Sequence, residues 1–290
     1  VRRISQSEAT SWLTCKARYR YEFDMNLEQV KTSDALSIGN LGHEALENYY
    51  RALMDGADQT SAIVEGRKVF MAALDTYGME IIARVDPLLQ GYWGFYDSNE
   101  WEILAVEESF DLAISDDFSM PTRLDLIVRE RKNGKMAVVD HKFKGEFFLE
   151  NSLSLNAQQP KYLAALKEAG YDVSYAIMNV IRTRKMKDPS PDQLYRRNII
   201  TPSIAKTKNV MRQQISASKE ITRYRAVEDP DVRKQIATPV LNEIVCKYCH
   251  FSDLCASELD GGEIEYLIAN DYQQKQSYGY NKETDIKDLM

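Results

Sequence analysis

The sequence predicts an α/β fold, a small mixed sheet flanked by helices, and three observations carry that prediction. Through roughly the first 80 residues, apolar and aromatic side chains recur every three or four positions, the period of a helix. Between Trp101 and Phe143 the period shortens to two, and Asn133-Gly134 separates two of the runs with a strong hairpin turn. A helical stretch and a further β-rich run follow, so the chain reads as helices, three strands, a helix and a strand. The 290 residues are 44% hydrophobic and 28% charged, enough material for a core and incompatible with disorder throughout. No run approaches the roughly 20 apolar residues of a membrane helix. The first residues lack the apolar run of a secretion signal, so the cytoplasm is the expected location.

The elements follow in order. Ser5-Gln6-Ser7-Glu8 has the form of a capping box, and Trp12, Cys15, Tyr19 and Phe23 are spaced to share one helical face. A looser stretch, Thr32-Ser33-Asp34, leads to a second helix over 39–53, and 61–83 is helical again. Asp86-Pro87 and residues 91–97 are expected to break that pattern. Strands are expected over 101–114, 122–129 and 136–143, the first two joined by a turn at Ser115-Asp116-Asp117. Residues 156–169 read as a helix with Gly170 as C-cap, and 171–181 as the fourth strand. Basic linkers and a helix over 203–224 complete the domain, expected to span 1–256 as one unit. Residues 257–290, with eight acids and three lysines, read as an acidic tail, partly ordered at most.

The formal net charge of −7 argues against a generally basic nucleic-acid coat protein, but the charge is unevenly spread. Residues 181–225 carry twelve Lys and Arg against three acids, an asymmetry that guides a polyanion to one face as readily as it describes a solvated helix.

Two carboxylates end apolar strands: Asp125 in Leu124-Asp125-Leu126-Ile127-Val128, and Asp140 in Ala137-Val138-Val139-Asp140. Such groups are expensive to bury unless paired or bound to a cation. A hairpin through Asn133-Gly134 brings them together, and a divalent cation removes their mutual repulsion. Mg2+ takes one or two carboxylates plus waters and phosphate oxygens, which suits a phosphodiester substrate. Strand alternation puts Lys142 on the same side as Asp140, beside the water such an ion would bind. His43 follows Gly39-Asn40-Leu41-Gly42, with Glu47 one turn on, and Gln158 and Tyr162 are one helical turn apart.

Three of the four cysteines form Cys246-x2-Cys249-x5-Cys255, which reads as metal ligation rather than a disulfide framework. The fourth ligand is either Cys15 or His250, and the set suits zinc or an iron–sulfur cluster.

Taken together, Gly39-x3-His43-x3-Glu47, Leu124-Asp125, Asp140-His141-Lys142 and Gln158-x3-Tyr162 resemble the motifs of RecB-type nucleases of the PD-(D/E)XK superfamily. The opening Ser5-Gln6-Ser7…Trp12-Leu13-Thr14-Cys15 is similar to that family's start, and the likeness spans about Ser5 to Cys255. Leu124 stands where the motif has proline, Thr122 and Arg123 where a glycine is frequent, and Lys16 where proline commonly follows the first cysteine. The resemblance implies a restriction-endonuclease-like core over about 36–181, of αβββαβ order, with added N-terminal helices and a C-terminal iron–sulfur segment. It implies Mg2+ or Mn2+ held by His43, Asp125, Asp140 and the His141 backbone carbonyl. Lys142 would be the catalytic lysine, Gln158 would position it or the substrate, and Tyr162 would lie against DNA. Glu107 or Glu108 sits where the family often carries an acid, with no role assigned to either.

One early cysteine and three late ones are the pattern of iron–sulfur members, AddB-like and CRISPR-associated RecB-like exonucleases. That implies a 4Fe-4S cluster on Cys15, Cys246, Cys249 and Cys255, a structural clasp, with zinc as the lesser alternative. The expected activity is DNA exonuclease action on single strands or ends, with 5′→3′ polarity leading, in a prokaryotic cell or phage-infected host. Arg182, Arg184 and Lys185 are the expected backbone contacts. A structure-dependent or nicking endonuclease with the same site, and a non-catalytic DNA-end-binding module, are the rivals.

Overall fold

The structure, a computed structural model, describes residues 1–30, 33–168 and 170–275. The elements run β1 (Arg2–Arg3), α1 (Gln6–Thr14), α2 (Lys16–Tyr19), β2 (Leu27–Gln29), α3 (Asp34–Met54), α4 (Gln59–Ala72) and α5 (Leu74–Phe95). Then come β3 (Trp101–Ala113), β4 (Phe118–Glu130), β5 (Met136–Lys144), α6 (Glu150–Ser154), α7 (Gln158–Glu168) and β6 (Val173–Arg182). The chain continues through α8 (Pro191–Leu194), β7 (Tyr195–Ile200), α9 (Ile204–Arg225), α10 (Pro230–Ile236), α11 (Glu243–Lys247), α12 (Ser252–Leu259), α13 (Glu265–Asp271) and β8 (Tyr272–Gln274). The result is the expected α/β fold. Among the described residues no helix is long and apolar enough to cross a membrane.

The described residues divide into two compact units. The larger holds 33–112 and 122–210. Its sheet runs β3-β4-β5-β6-β7, with β5 and β6 parallel and the β4–β5 and β6–β7 pairs antiparallel. Helices α3 and α5 supply Leu41, Leu46, Val85, Leu89 and Trp93 to a core completed by the strand residues Leu126, Val128, Ala137 and Val139. The smaller unit holds 1–30, 113–121 and 211–275. In it β1 pairs with Phe118 and Ser119, β2 pairs with β8, and Trp12, Tyr19, Phe118, Ile221 and Tyr224 pack together.

Several local expectations are corrected. Asp86-Pro87 does not end a helix: α5 runs through Pro87 to Phe95, because Ile81, Val85, Leu89, Tyr92 and Trp93 bury one stripe that repays the missing hydrogen bond. The break lies earlier, at Gly78, whose φ of 76° only glycine adopts readily. The second helix starts at Asp34, capped by the Ser33 hydroxyl, rather than near Gly39. The first aromatic face is not one helix, since Cys15 is extended (φ −162°, ψ 116°) between α1 and α2. That kink leaves Trp12 and Tyr19 in one cluster and sends Cys15 into another. The basic linkers contain a strand, β7, and the segment read as an acidic tail holds the end of α12, then α13 and β8. Residues 276–290 of that tail lie outside the described residues.

Candidate functional site

The β4–β5 register pairs Leu126 with Val139, and continuing it by one residue sets Asp125 opposite Asp140. Asp125 Oδ2 accepts the backbone N–H of His141 at 2.7 Å. Both Asp140 oxygens meet Lys142 Nζ, at 2.9 and 2.8 Å. From the start of α7, Gln158 Nε2 stands 3.5 Å from Asp140 Oδ1 and donates to the Tyr162 hydroxyl at 3.0 Å. Burial raises both aspartates above the usual carboxylate range. For Asp125 the His141 N–H works against that rise; for Asp140 the lysine opposes it and Asp125 adds to it. Burial works against the Lys142 charge too, yet Asp140 outweighs it and holds the ammonium above its ordinary value.

Helix α3 brings His43 to these acids. Its Nδ1 lies 3.5 Å from Asp125 Oδ2 and 4.0 Å from Glu107 Oε1. One ligand atom from each of His43, Glu107 and Asp125 lies within 4.8 Å of the others. Burial, reinforced by Lys142, pushes His43 down to about 4, so its imidazole is neutral and has a lone pair to give. Burial and the nearby Asp125 push Glu107 up to about 8, with Arg123 pulling the other way. Arg123 Nε sits 2.7 Å from Glu107 Oε2, and its Nη2 is 3.6 Å from Glu47. Glu47 also holds Arg51 at 2.9 Å, so this motif residue is engaged by two arginines.

Glu107 is the residue that sequence reasoning left without a role. Its φ of 51° is left-handed, inside a strand, and the consecutive buried residues Ala105 and Val106 mark the same irregularity. A left-handed residue inside a strand re-aims its side chain, and its cost is of the order of 1–3 kcal/mol. The two adjacent acids Glu107 and Glu108, within Ala105-Val106-Glu107-Glu108, were the only available signal.

A half-buried cluster of mutually repelling carboxylates with a neutral imidazole fits a hard divalent cation. The approach of α3 that completes it depends on Gly42, where a Cβ would stand 2.2 Å from the Phe143 ring on β5. Gly42→Ala is therefore expected to cost about 1–3 kcal/mol of stability by overpacking. It should weaken Mn2+ binding as well, both checked by thermal melts with and without the ion.

The four cysteines are free thiols that line one cavity of about 240 Å³, together with Arg18, Tyr21, Val240 and Phe251. The Val240 N–H reaches Cys15 Sγ at 3.5 Å, and Cys246 Sγ reaches the Val240 carbonyl at the same distance. Burial pushes the Cys249 and Cys255 thiols up. His250 does not line this cavity; its carbonyl accepts the Tyr272 hydroxyl. Among the described residues the cysteines form no group with three sulfurs within 4.8 Å. Four thiols around one cavity make a donor set that fits a thiolate-bound metal group.

Arg182 and Arg184 both pair with Glu146, and Arg182 also lies over Phe147 at 5.6 Å. Lys185 is exposed.

The family profile described as the PD-(D/E)XK nuclease superfamily matches residues 3–256. No curated protein sequence matches the chain significantly. Among solved structures, the protein SSO0001 is similar with a TM-score of 0.40 and 16% identity, over 88% of this chain and 86% of that one. A candidate exonuclease from Eubacterium rectale is similar with a TM-score of 0.48 and 10% identity, over 83% and 85%.

Proposed function

The chain belongs to the PD-(D/E)XK nuclease superfamily, and from that premise we propose that it is a RecB-like, Mg2+- or Mn2+-dependent DNA exonuclease. It acts on single strands or DNA ends, with 5′→3′ polarity, in the cytoplasm of a prokaryotic cell or phage-infected host. The observation that carries this reading is the convergence of His43, Glu107 and Asp125 within 4.8 Å, beside the Asp140–Lys142 pair. His43, Asp125, Asp140 and the His141 carbonyl would hold the cation, with Glu107 joining them. The imidazole inclines the set towards Mn2+, the softer of the two ions. When bound, the cation lowers the pKa of a water and draws charge from a phosphate oxygen.

The chain's own groups do the rest. Lys142, steadied by both Asp140 oxygens, orients the attacking water and stabilises the charge that develops on the phosphate. Gln158 keeps Asp140 and Tyr162 in register, and the Tyr162 hydroxyl lies against the DNA. Arg182, Arg184 and Lys185 follow the backbone, the two arginines exchanging Glu146 for phosphate. Cys15, Cys246, Cys249 and Cys255 hold a 4Fe-4S cluster whose role is structural.

End-labelled linear and covalently closed circular DNA, incubated with and without Mn2+, test the activity. Loss of label from the linear DNA alone, only with metal, is expected. Cleavage of the closed circle would make the enzyme an endonuclease instead.

A further inference from the structure

Behind the catalytic strand lies a row of buried polar groups that neither cation nor substrate touches. His141 falls between Asp140 and Lys142, so alternation turns its ring to the opposite face of β5. The register pairs His141 with Asn179 on β6, and Asn179 with Arg197 on β7. Asn179 Nδ2 donates to His141 Nδ1 at 2.7 Å and to the Tyr92 hydroxyl at 3.0 Å. Tyr92 in turn receives Arg197 Nη2 at 3.3 Å and shares a 2.8 Å hydrogen bond with the Tyr50 hydroxyl. The Tyr50 ring stacks on the His141 ring, centroids 5.5 Å apart at 12°.

As packing, this arrangement is poor. His141, Asn179, Tyr50 and Tyr92 are all buried, yet His141 Nε2 and Asn179 Oδ1 have no hydrogen-bond partner among the described residues. An unsatisfied buried polar atom is destabilising, and apolar residues of similar shape would serve the core better. The row makes sense through what its far end holds. The His141 N–H binds Asp125 Oδ2, and the His141 backbone also bonds to His43. The backbone of one residue thus meets two groups of the cation site, and its anchored ring fixes how that backbone is tilted. Tyr50 lies two turns after His43 on α3, so the same helix supplies a ligand and clamps the ring.

We propose that Asn179, acting with Tyr92, is a positioning residue that fixes the His141 backbone and through it the geometry of His43 and Asp125 around the cation. This rests on the metal-dependent nuclease reading above.

The test compares Asn179→Leu, Tyr92→Phe and the double variant His141→Phe/Asn179→Leu with wild type. The readouts are melting temperature, Mn2+ affinity by electron paramagnetic resonance, and kcat and KM on single-stranded DNA. Removing groups that orient metal ligands typically costs about 10- to 100-fold in metal affinity or activity. A loss of that size is expected in kcat and in Mn2+ affinity for Asn179→Leu and the double variant, with KM little changed. Tyr92→Phe should move both in the same direction by less. The double variant leaves neither a buried histidine nor a buried amide, so its melting temperature should equal or exceed that of wild type. It carries the test if Asn179→Leu does not fold. Wild-type kcat and Mn2+ affinity in the double variant would overturn the proposal. So would activity that falls only in step with melting temperature while Mn2+ affinity holds. Asp140→Ala, run alongside, separates the two readings. If that variant still cleaves, the site itself is wrong; if it is inactive while Asn179→Leu is normal, only the positioning role fails.

Discussion

Asp140→Ala is expected to lower DNA cleavage by on the order of 10³-fold or more, while DNA binding is retained. A loss of that size is about 4 kcal/mol of transition-state stabilisation. The expectation is large because the carboxylate serves two groups. It faces Asp125 across the β4–β5 register, and it anchors Lys142 through both oxygens. Removing it deletes a proposed ligand and frees the lysine at once, so Asp140→Ala and Lys142→Ala should be strongly non-additive. Binding should survive because the proposed phosphate contacts, Arg182, Arg184 and Lys185, lie elsewhere, and a gel-shift titration beside the cleavage assay separates the two. Undiminished cleavage by the variant would remove the site from the account.

The second large effect concerns the cysteine cavity. Replacing any one of Cys15, Cys246, Cys249 or Cys255 by serine is expected to release iron and to destabilise the protein by about 2–5 kcal/mol, the range seen when a native cross-link is removed. Cys15 and the other three lie more than 200 residues apart in sequence yet line the same 240 Å³ cavity. A group bound by all four therefore closes a very long loop, and its loss returns that entropy to the unfolded chain. Iron content, visible absorbance and urea unfolding of anaerobically purified protein read the effect. Stoichiometric zinc in a colourless wild-type preparation would refute the cluster.

Much of the architecture was legible because local signals and tertiary packing agree. Asn133-Gly134 between two alternating apolar runs signals a hairpin, but the register that sets Asp125 opposite Asp140 comes from the four-residue loop 131–134 that forms there, closed by the Glu130 N–H on the Lys135 carbonyl. Asp-x-Lys then needs only strand alternation to pair Lys142 with Asp140. The failures arise where packing overrides a local rule. Pro87 continues α5 because the buried stripe from Ile81 to Trp93 outweighs one lost hydrogen bond. Strand β7 was hidden by Arg196 and Arg197, which read as linker charge. In the structure Arg197 is mostly buried, with its guanidinium 3.5 Å from the Tyr96 ring centroid and 3.9 Å from that of Trp101. Glu107 was ambiguous with Glu108 because alternation chooses between neighbours only in a regular strand, and its left-handed backbone removes that regularity. Cys15 was visible as a ligand candidate, but the kink that turns it from the aromatic face into the cavity was not.

The central claim is that one hard cation is held where His43, Glu107 and Asp125 converge beside Asp140. Anomalous diffraction from crystals soaked in Mn2+ tests it most directly. A manganese peak within coordinating distance of His43 and Asp125, lost in Asp125→Ala crystals, is the result expected. A peak elsewhere, or none at saturating Mn2+, would contradict it.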